Sequence, residues 1–336
     1  MSDFIIDKIT NRDGSAGTQI AGITTFRGTS GIQLPVGPTE YRGGRGRGVF
    51  SNGRNNPVYF STMEYVEIAV KSNTTDFGDT TKQVNGGTGN VSSSTRGLIA
   101  GGYANPAGNQ THIDYYIFSS SGGASDFGDL REVSNSHGGV SDSTRGVYAG
   151  FYPAYSGLLE FVTTATTGNT SDFGELMDRT ICRGGINSPT RGIYAGVENP
   201  AGKYKRTEYI TIQTKGNSQE FGELTDARTG IGMCSNSTRG LVMSGLNPSL
   251  VNTIDYCTIA TFGNFIDFGD TTVARRSGSS CASPTRGLYG GGTTPTNLNT
   301  IDYVTIATTG DAIDFGDLSY TARGVNANSD CHGGLQ

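Results

Sequence analysis

Six copies of one short motif restrict what this chain can fold into more than its composition does. Asp76-Phe77-Gly78-Asp79 recurs as Asp126-Phe127-Gly128-Asp129, Asp172-Phe173-Gly174-Glu175, Glu220-Phe221-Gly222-Glu223, Asp267-Phe268-Gly269-Asp270 and Asp314-Phe315-Gly316-Asp317, with the phenylalanines 46 to 50 residues apart. A protein kinase carries Asp-Phe-Gly once, to hold magnesium, beside a His-Arg-Asp catalytic loop. No His-Arg-Asp occurs in this chain. Recurrence at a near-constant interval makes the motif one rung of a repeat.

Three further motifs keep step with it. An Arg-Gly pair opens each unit at Arg47, Arg96, Arg145, Arg191, Arg239 and Arg286, followed by an apolar run such as Gly97-Leu98-Ile99-Ala100-Gly101-Gly102. An acidic-aromatic pair follows at Glu64-Tyr65, Asp114-Tyr115, Glu160-Phe161, Glu208-Tyr209, Asp255-Tyr256 and Asp302-Tyr303, and leads runs rich in β-branched residues. One proline per unit lies between: Pro57, Pro106, Pro153, Pro200, Pro248 and Pro295. Helical periodicity is missing, and the many Gly and Thr positions disfavour helix. About four short strands per unit is the pattern of a propeller blade, and stacking buries faces that one blade leaves open. The first unit starts at its Arg-Gly strand, whereas Thr321-Ala322-Arg323-Gly324-Val325-Asn326-Ala327-Asn328 supplies a strand with no unit after it. The expectation is an all-β, six-bladed propeller over residues 42–336, closed by its C-terminal strand so that no sheet edge stays open.

Residues 1–41 lack the repeat and have too little apolar periodicity for a core of their own. They read either as a surface-draped tail or as an extended N-terminal arm that orders on a partner or a sister subunit, with Phe4-Ile5-Ile6 and Ile20 to Phe26 favouring an anchor. The net charge of −5 offers no field for nucleic acid or anionic lipid, and no apolar run is long enough to span a bilayer. The start lacks the basic and apolar regions of a secretory signal, so synthesis and folding in a cytosol are expected. The five cysteines, Cys182, Cys234, Cys257, Cys281 and Cys331, lack zinc-knuckle spacing and read as small buried thiols.

The double-glycine strand followed by an aromatic-bearing strand resembles the kelch repeat, without the kelch tryptophan. A closer likeness, over essentially the whole chain, is to the repeat-bearing virion structural proteins of marine cyanophages. It rests on Ser283-Pro284-Thr285-Arg286-Gly287-Leu288, on Ile301-Asp302-Tyr303-Val304-Thr305-Ile306-Ala307-Thr308-Thr309-Gly310, and on Asp7-Lys8-Ile9-Thr10-Asn11-Arg12-Asp13-Gly14 in the arm. The resemblance implies a bacteriophage virion component of a tail, fibre or surface decoration, made in the host cytoplasm. It brings no catalytic residues.

A residue present in every unit is more naturally structural. The Arg-Gly arginines (Arg47, Arg96, Arg145, Arg191, Arg239, Arg286) are expected to clamp strands or blades through the carboxylates after Phe-Gly: Asp79, Asp129, Glu175, Glu223, Asp270 and Asp317. The Phe-Gly glycine is expected at a bulge or turn, and its phenylalanine between neighbouring sheets. Binding is expected where the units differ, on a single rim of proline-bearing loops carrying Tyr103, Asn105, Tyr152, Tyr155, Lys203, Tyr204, Asn247 and Asn297. Drifting surface loops are the plain alternative. The functional expectation is a non-enzymatic structural protein that contacts other virion proteins through its arm. A host-surface glycan or protein is a further candidate partner, and homo-oligomers are compatible with it. A glycan-binding lectin or adhesin is the alternative. A propeller enzyme is disfavoured: His112, His137 and His332 fall at unlike positions, and Glu132 and Glu198 are the stray acids outside the repeat. No cofactor or metal is expected.

Overall fold

The structure, a computed structural model, describes residues 46–86, 89, 91–181 and 184–335, so the expected arm at 1–41 lies outside the described residues. It is a six-bladed β-propeller. Blade 1 joins Asn326–Ser329, Arg47–Ser51, Thr62–Glu67 and Thr75–Asp79, in that order from the axis outward. The same antiparallel order holds in the other blades, as in blade 5 with Gly232–Ser235, Arg239–Asn247, Ser249–Thr258 and Ile266–Asp270. The innermost strands of successive blades touch one another in a closed ring. Each Arg-Gly strand is buried along nearly its whole length because a neighbouring blade covers each face, which is why it reads as an apolar run without alternation.

The core is not a single centre but six layers, one per junction. Val49, Met63 and Phe77 of blade 1 meet Ile99, Tyr116 and Phe118 of blade 2, and Phe315, Leu288 and Ile301 of blade 6 meet Phe50, Val66 and Ala327 of blade 1. The repeated phenylalanine lies in these layers. Phe77 stands edge-on to Tyr116, with ring centroids 5.3 Å apart. The glycine after it sits at a register shift in the ladder, a bulge, for instance between Ile254 and Asp255 opposite Gly269. At Gly269 φ is +145°, and a Cβ would come within 2.6 Å of the Gly310 carbonyl in the next blade. The outer strand uses its exposed edge the same way. The Phe77 and Asp79 carbonyls accept from the Gly122 and Ala124 amides at 2.7 and 2.8 Å, and at the closing junction Thr74 N–H donates to the Asp317 carbonyl at 3.0 Å.

Closure follows the expected route. Asn326–Ser329 pairs with Arg47–Ser51 in the register Gly48↔Ser329 to Ser51↔Asn326. Beyond it the chain turns into the axis. Cys331, His332, Gly333 and Gly334 are buried there, with the His332 Nε2 atom 3.2 Å from the Ser141 hydroxyl and 3.3 Å from the Ser92 carbonyl. This plug closes one end of the channel. The described chain also begins on that end, at Gly46, whose carbonyl accepts from Ile68 N–H. The proline-bearing loops and the segments entering each inner strand gather at the opposite end, where Gly53 N–H donates to the Val84 carbonyl and Arg54 N–H to Arg323.

Candidate functional site

The recurring arginines join blades. None of the expected pairs between an Arg-Gly arginine and a Phe-Gly carboxylate forms among the described residues. Arg47, Arg96, Arg145, Arg191, Arg239 and Arg286 start their strands at the plug end. Asp79, Glu175, Glu223, Asp270 and Asp317 end theirs at the proline end, a strand length away, and Asp129 holds the equivalent position within Ser125–Ser134. Each arginine instead stacks on the aromatic ring of its own acidic-aromatic pair, 4.4 Å from the centroid for Arg239 over Tyr256 and 4.7 Å for Arg96 over Tyr115. Its Nη1 donates to a backbone carbonyl of the following blade: Phe118 from Arg47 (2.7 Å), Ile212 from Arg145 (3.0 Å), Ile259 from Arg191 (2.6 Å), Ile306 from Arg239 (2.9 Å) and Ile68 from Arg286 (3.1 Å). Arg47 adds a bond to Glu67, opposite it in the ladder. The outer carboxylates serve locally, as when Asp129 accepts the Thr111 hydroxyl at 2.8 Å.

The acid of the acidic-aromatic pair, to which the sequence assigned no role, is the buried staple. Asp255 accepts the Thr225 amide (3.1 Å) and hydroxyl (2.8 Å) from the preceding blade and faces Arg228 at 3.0 Å. Asp302 does the same with Thr272 and Arg275, the latter at 3.1 Å. At the closing junction Glu64 accepts from the Ser319 amide and hydroxyl. Burial pushes the Asp114 and Glu160 carboxyls above their ordinary range, against the hydrogen bonds from Thr81 and from Thr170 and Arg131 that favour the ionised form.

The three histidines are buried. Burial holds His137 down to about 3, stacked on Phe151 at 5.7 Å, and His332 down to about 4 in the plug. His112, within Gly108–Ile117, falls to about 4 through burial and then Lys82. All three are neutral at physiological pH. Burial raises the Cys234 and Cys257 thiols to about 12, so these are packing groups.

The proline end carries the eight expected binding residues on one rim, but part of the set is occupied. Lys203 donates to the Leu246 carbonyl at 3.0 Å, and the Tyr204 hydroxyl donates to Asn199 at 3.1 Å. Asn297 donates to the Arg54 carbonyl and to the Asn55 side chain, both at 3.1 Å. Tyr103 is half-buried beside Tyr59, their centroids 6.2 Å apart. Tyr152 and Tyr155 form a half-exposed edge-to-face pair at 5.5 Å, Asn105 is exposed and Asn247 half-buried.

Inside this rim, on the axis, lies a polar cavity of about 270 Å³ that the sequence did not reveal. Among the described residues its wall comes from five blades, through Arg54, Asn85, Asn135, Ser136, Gly230, Arg276, Ser277, Arg323 and Gly324 among others. Backbone bonds tie the wall together: Gly86 N–H donates to Gly324, Gly324 to Ser277 and Ser277 to Gly230. The signal available in the sequence was faint, since Arg276 and Arg323 each precede an inner strand by three residues but share no motif with Arg54. Comparison of the chain with known protein families and with curated proteins finds no match.

Proposed function

We propose that the chain is a non-enzymatic structural component of a phage particle, with residues 1–41 docking it on other virion proteins and the proline end of the propeller presented outward to a host surface. The repeat likeness to cyanophage virion proteins motivates the reading. The observation that carries it is a division between the two ends. The described chain starts at Gly46 on the plug end, while the side chains that differ from blade to blade lie on the proline end. The variable side chains thus lie at the end away from Gly46. The Arg-Gly arginines and the acids of the acidic-aromatic pairs are engaged between blades, which suits a rigid head that withstands load.

Incorporation into particles is the test. Chains lacking residues 1–41 should fold but be missing from purified particles, whereas Tyr152→Ala/Tyr155→Ala chains should be incorporated and bind host cells more weakly. Normal incorporation without residues 1–41 would defeat the docking role. A lectin acting apart from a particle is the second reading. The half-exposed Tyr152–Tyr155 pair favours it, because such faces stack against sugar rings.

A further inference from the structure

We propose that the axial cavity on the proline end is an oxyanion-binding site, in which Arg54, Arg276 and Arg323 receive a phosphate, sulfate or carboxylate group, either as a free ion or as the end group of a sugar. The inference rests on the geometry of the cavity and is independent of any role in a particle.

Among the described residues, three arginines from two blades line one small cavity. Arg54 and Arg323 are directly opposite one another in an antiparallel bridge, with Arg54 N–H to the Arg323 carbonyl at 2.9 Å and the reverse bond at 3.1 Å. Like charges facing across a ladder destabilise it unless something opposite in charge sits with them. Among the described residues no carboxylate lies within ion-pair distance of any of the three. The neighbouring chain positions show the contrast. Arg275, one residue before Arg276, is fully buried and paired with Asp302 at 3.1 Å, as Arg228 is with Asp255 at 3.0 Å. Arg228 and Arg275 thus have buried acids beside them, and among the described residues the three cavity arginines do not. The electrostatics agree: burial first, then Arg54 and Arg276, lower the pKa of Arg323, with only the Tyr59 hydroxyl acting the other way.

Among the described residues the buried Arg54 Nε has no hydrogen-bond partner, and its Nη1 donates to the Tyr59 hydroxyl at 3.2 Å, an arrangement that holds the guanidinium without neutralising it. Guanidinium groups are planar forks matched to oxyanions. The Asn85, Asn135, Ser136 and Ser277 positions add neutral polar groups to the wall. The plug on the opposite end makes the channel a blind cup, so a ligand enters and leaves by the proline end. About 270 Å³ is below the usual volume of a pocket for a drug-sized molecule, which fits one charged group with little attached inside the cup. In a chain of net charge −5, a local cluster of three cations is also a focus for anions arriving from solution.

The test uses the full chain and its R276Q/R323Q variant. Thermal melting is followed in sodium phosphate or sulfate against sodium chloride at equal ionic strength. Isothermal titration then compares inorganic phosphate, glucose 6-phosphate, glucuronate and neutral glucose. Phosphate or sulfate should raise the melting temperature of the native chain by more than that of the variant, which keeps only the general salting effect of these ions. Titrated affinity should fall at least about tenfold per arginine removed, as expected for charge-assisted bonds. In chloride the variant should melt at or above the native temperature, because like charges have been removed. Tighter binding of glucose 6-phosphate or glucuronate than of inorganic phosphate, with glucose silent, identifies a sugar end group, and equal affinities identify the free ion. Equal stabilisation of native and variant chains, or no binding of any of the anions, overturns the proposal. Should the double variant fail to fold, R323Q alone gives the same comparison.

Discussion

Arg239 is the sharpest place to test how the blades are joined. Its guanidinium lies 4.4 Å from the Tyr256 centroid, and its Nη1 donates at 2.9 Å to the Ile306 carbonyl of the next blade. Arg239→Ala removes a half-buried cation–π contact of about 1 kcal/mol. It also removes a charge-assisted hydrogen bond of about 1.5–3 kcal/mol. A loss of about 2.5–4 kcal/mol is expected from these two terms, read from urea unfolding followed by circular dichroism and tyrosine fluorescence. The exposed Asp270, at the far end of the blade, should be nearly silent, with Asp270→Ala within about 0.5 kcal/mol of the native chain. A double-mutant cycle separates the two ideas. Arg239→Ala with Tyr256→Leu should show a coupling of about 0.5–1 kcal/mol, and Arg239→Ala with Asp270→Ala should be additive. A coupling above about 1 kcal/mol between Arg239 and Asp270 would restore the ion pair and refute the reasoning.

Asp255→Ala strands the buried Arg228 and the Thr225 amide, so a loss of about 3–5 kcal/mol is expected in the same assay. Gly269→Ala drives a Cβ toward the Gly310 carbonyl at a positive φ and should lower the melting temperature by several degrees, while alanine at exposed Gly310 serves as the comparison, strained in φ but without a clash. Ending the chain after Ala322 removes the strand that closes blade 1 and the plug; calorimetry should show loss of the whole cooperative transition, and an unchanged transition would contradict closure. The histidines give a pH signature. Their folded pKa values, about 4 for His112 and His332 and about 3 for His137, lie below the unfolded value, so the unfolded chain binds more protons as pH falls. Their stabilisation is whole above about pH 6.5 and is lost toward the folded values, by up to about 1.4 kcal/mol per pH unit for each histidine. Asp114 and Glu160, raised by burial, act in the opposite sense and blunt the loss at the acid end. His137→Gln should shallow the slope between pH 6 and 4.

The architecture was legible because a propeller writes its period into the chain. The spacing of Phe77, Phe127, Phe173, Phe221, Phe268 and Phe315 counts the blades, and the orphan strand near Val325 announces the join. What the arginines contact was not legible from co-occurrence, since each unit offers both an acid and a ring. Register decides it. Arg239 stands opposite Thr258, which puts Tyr256 diagonally beside it on the same face and leaves Asp270 at the other end of the sheet. The axial cavity is harder still. Arg54 belongs to the start of the array and Arg323 to its end, and only ring closure makes them neighbours.

That join also fixes an order of events during synthesis. Arg47 N–H is satisfied by the Asp330 carboxylate, a partner 283 residues further along. The strand at Arg47–Ser51 is made before blades 2 to 6 and must wait, its inner edge unpaired, until they have been made. Blades 2 to 6 draw their strands from consecutive chain and can assemble in turn; blade 1 has to be last. The interval in which its edge stands open is set by translation speed. Such an edge invites pairing with a second nascent chain, so slowing translation between Ser51 and Asn326 should raise misassembly more than slowing it before Arg47.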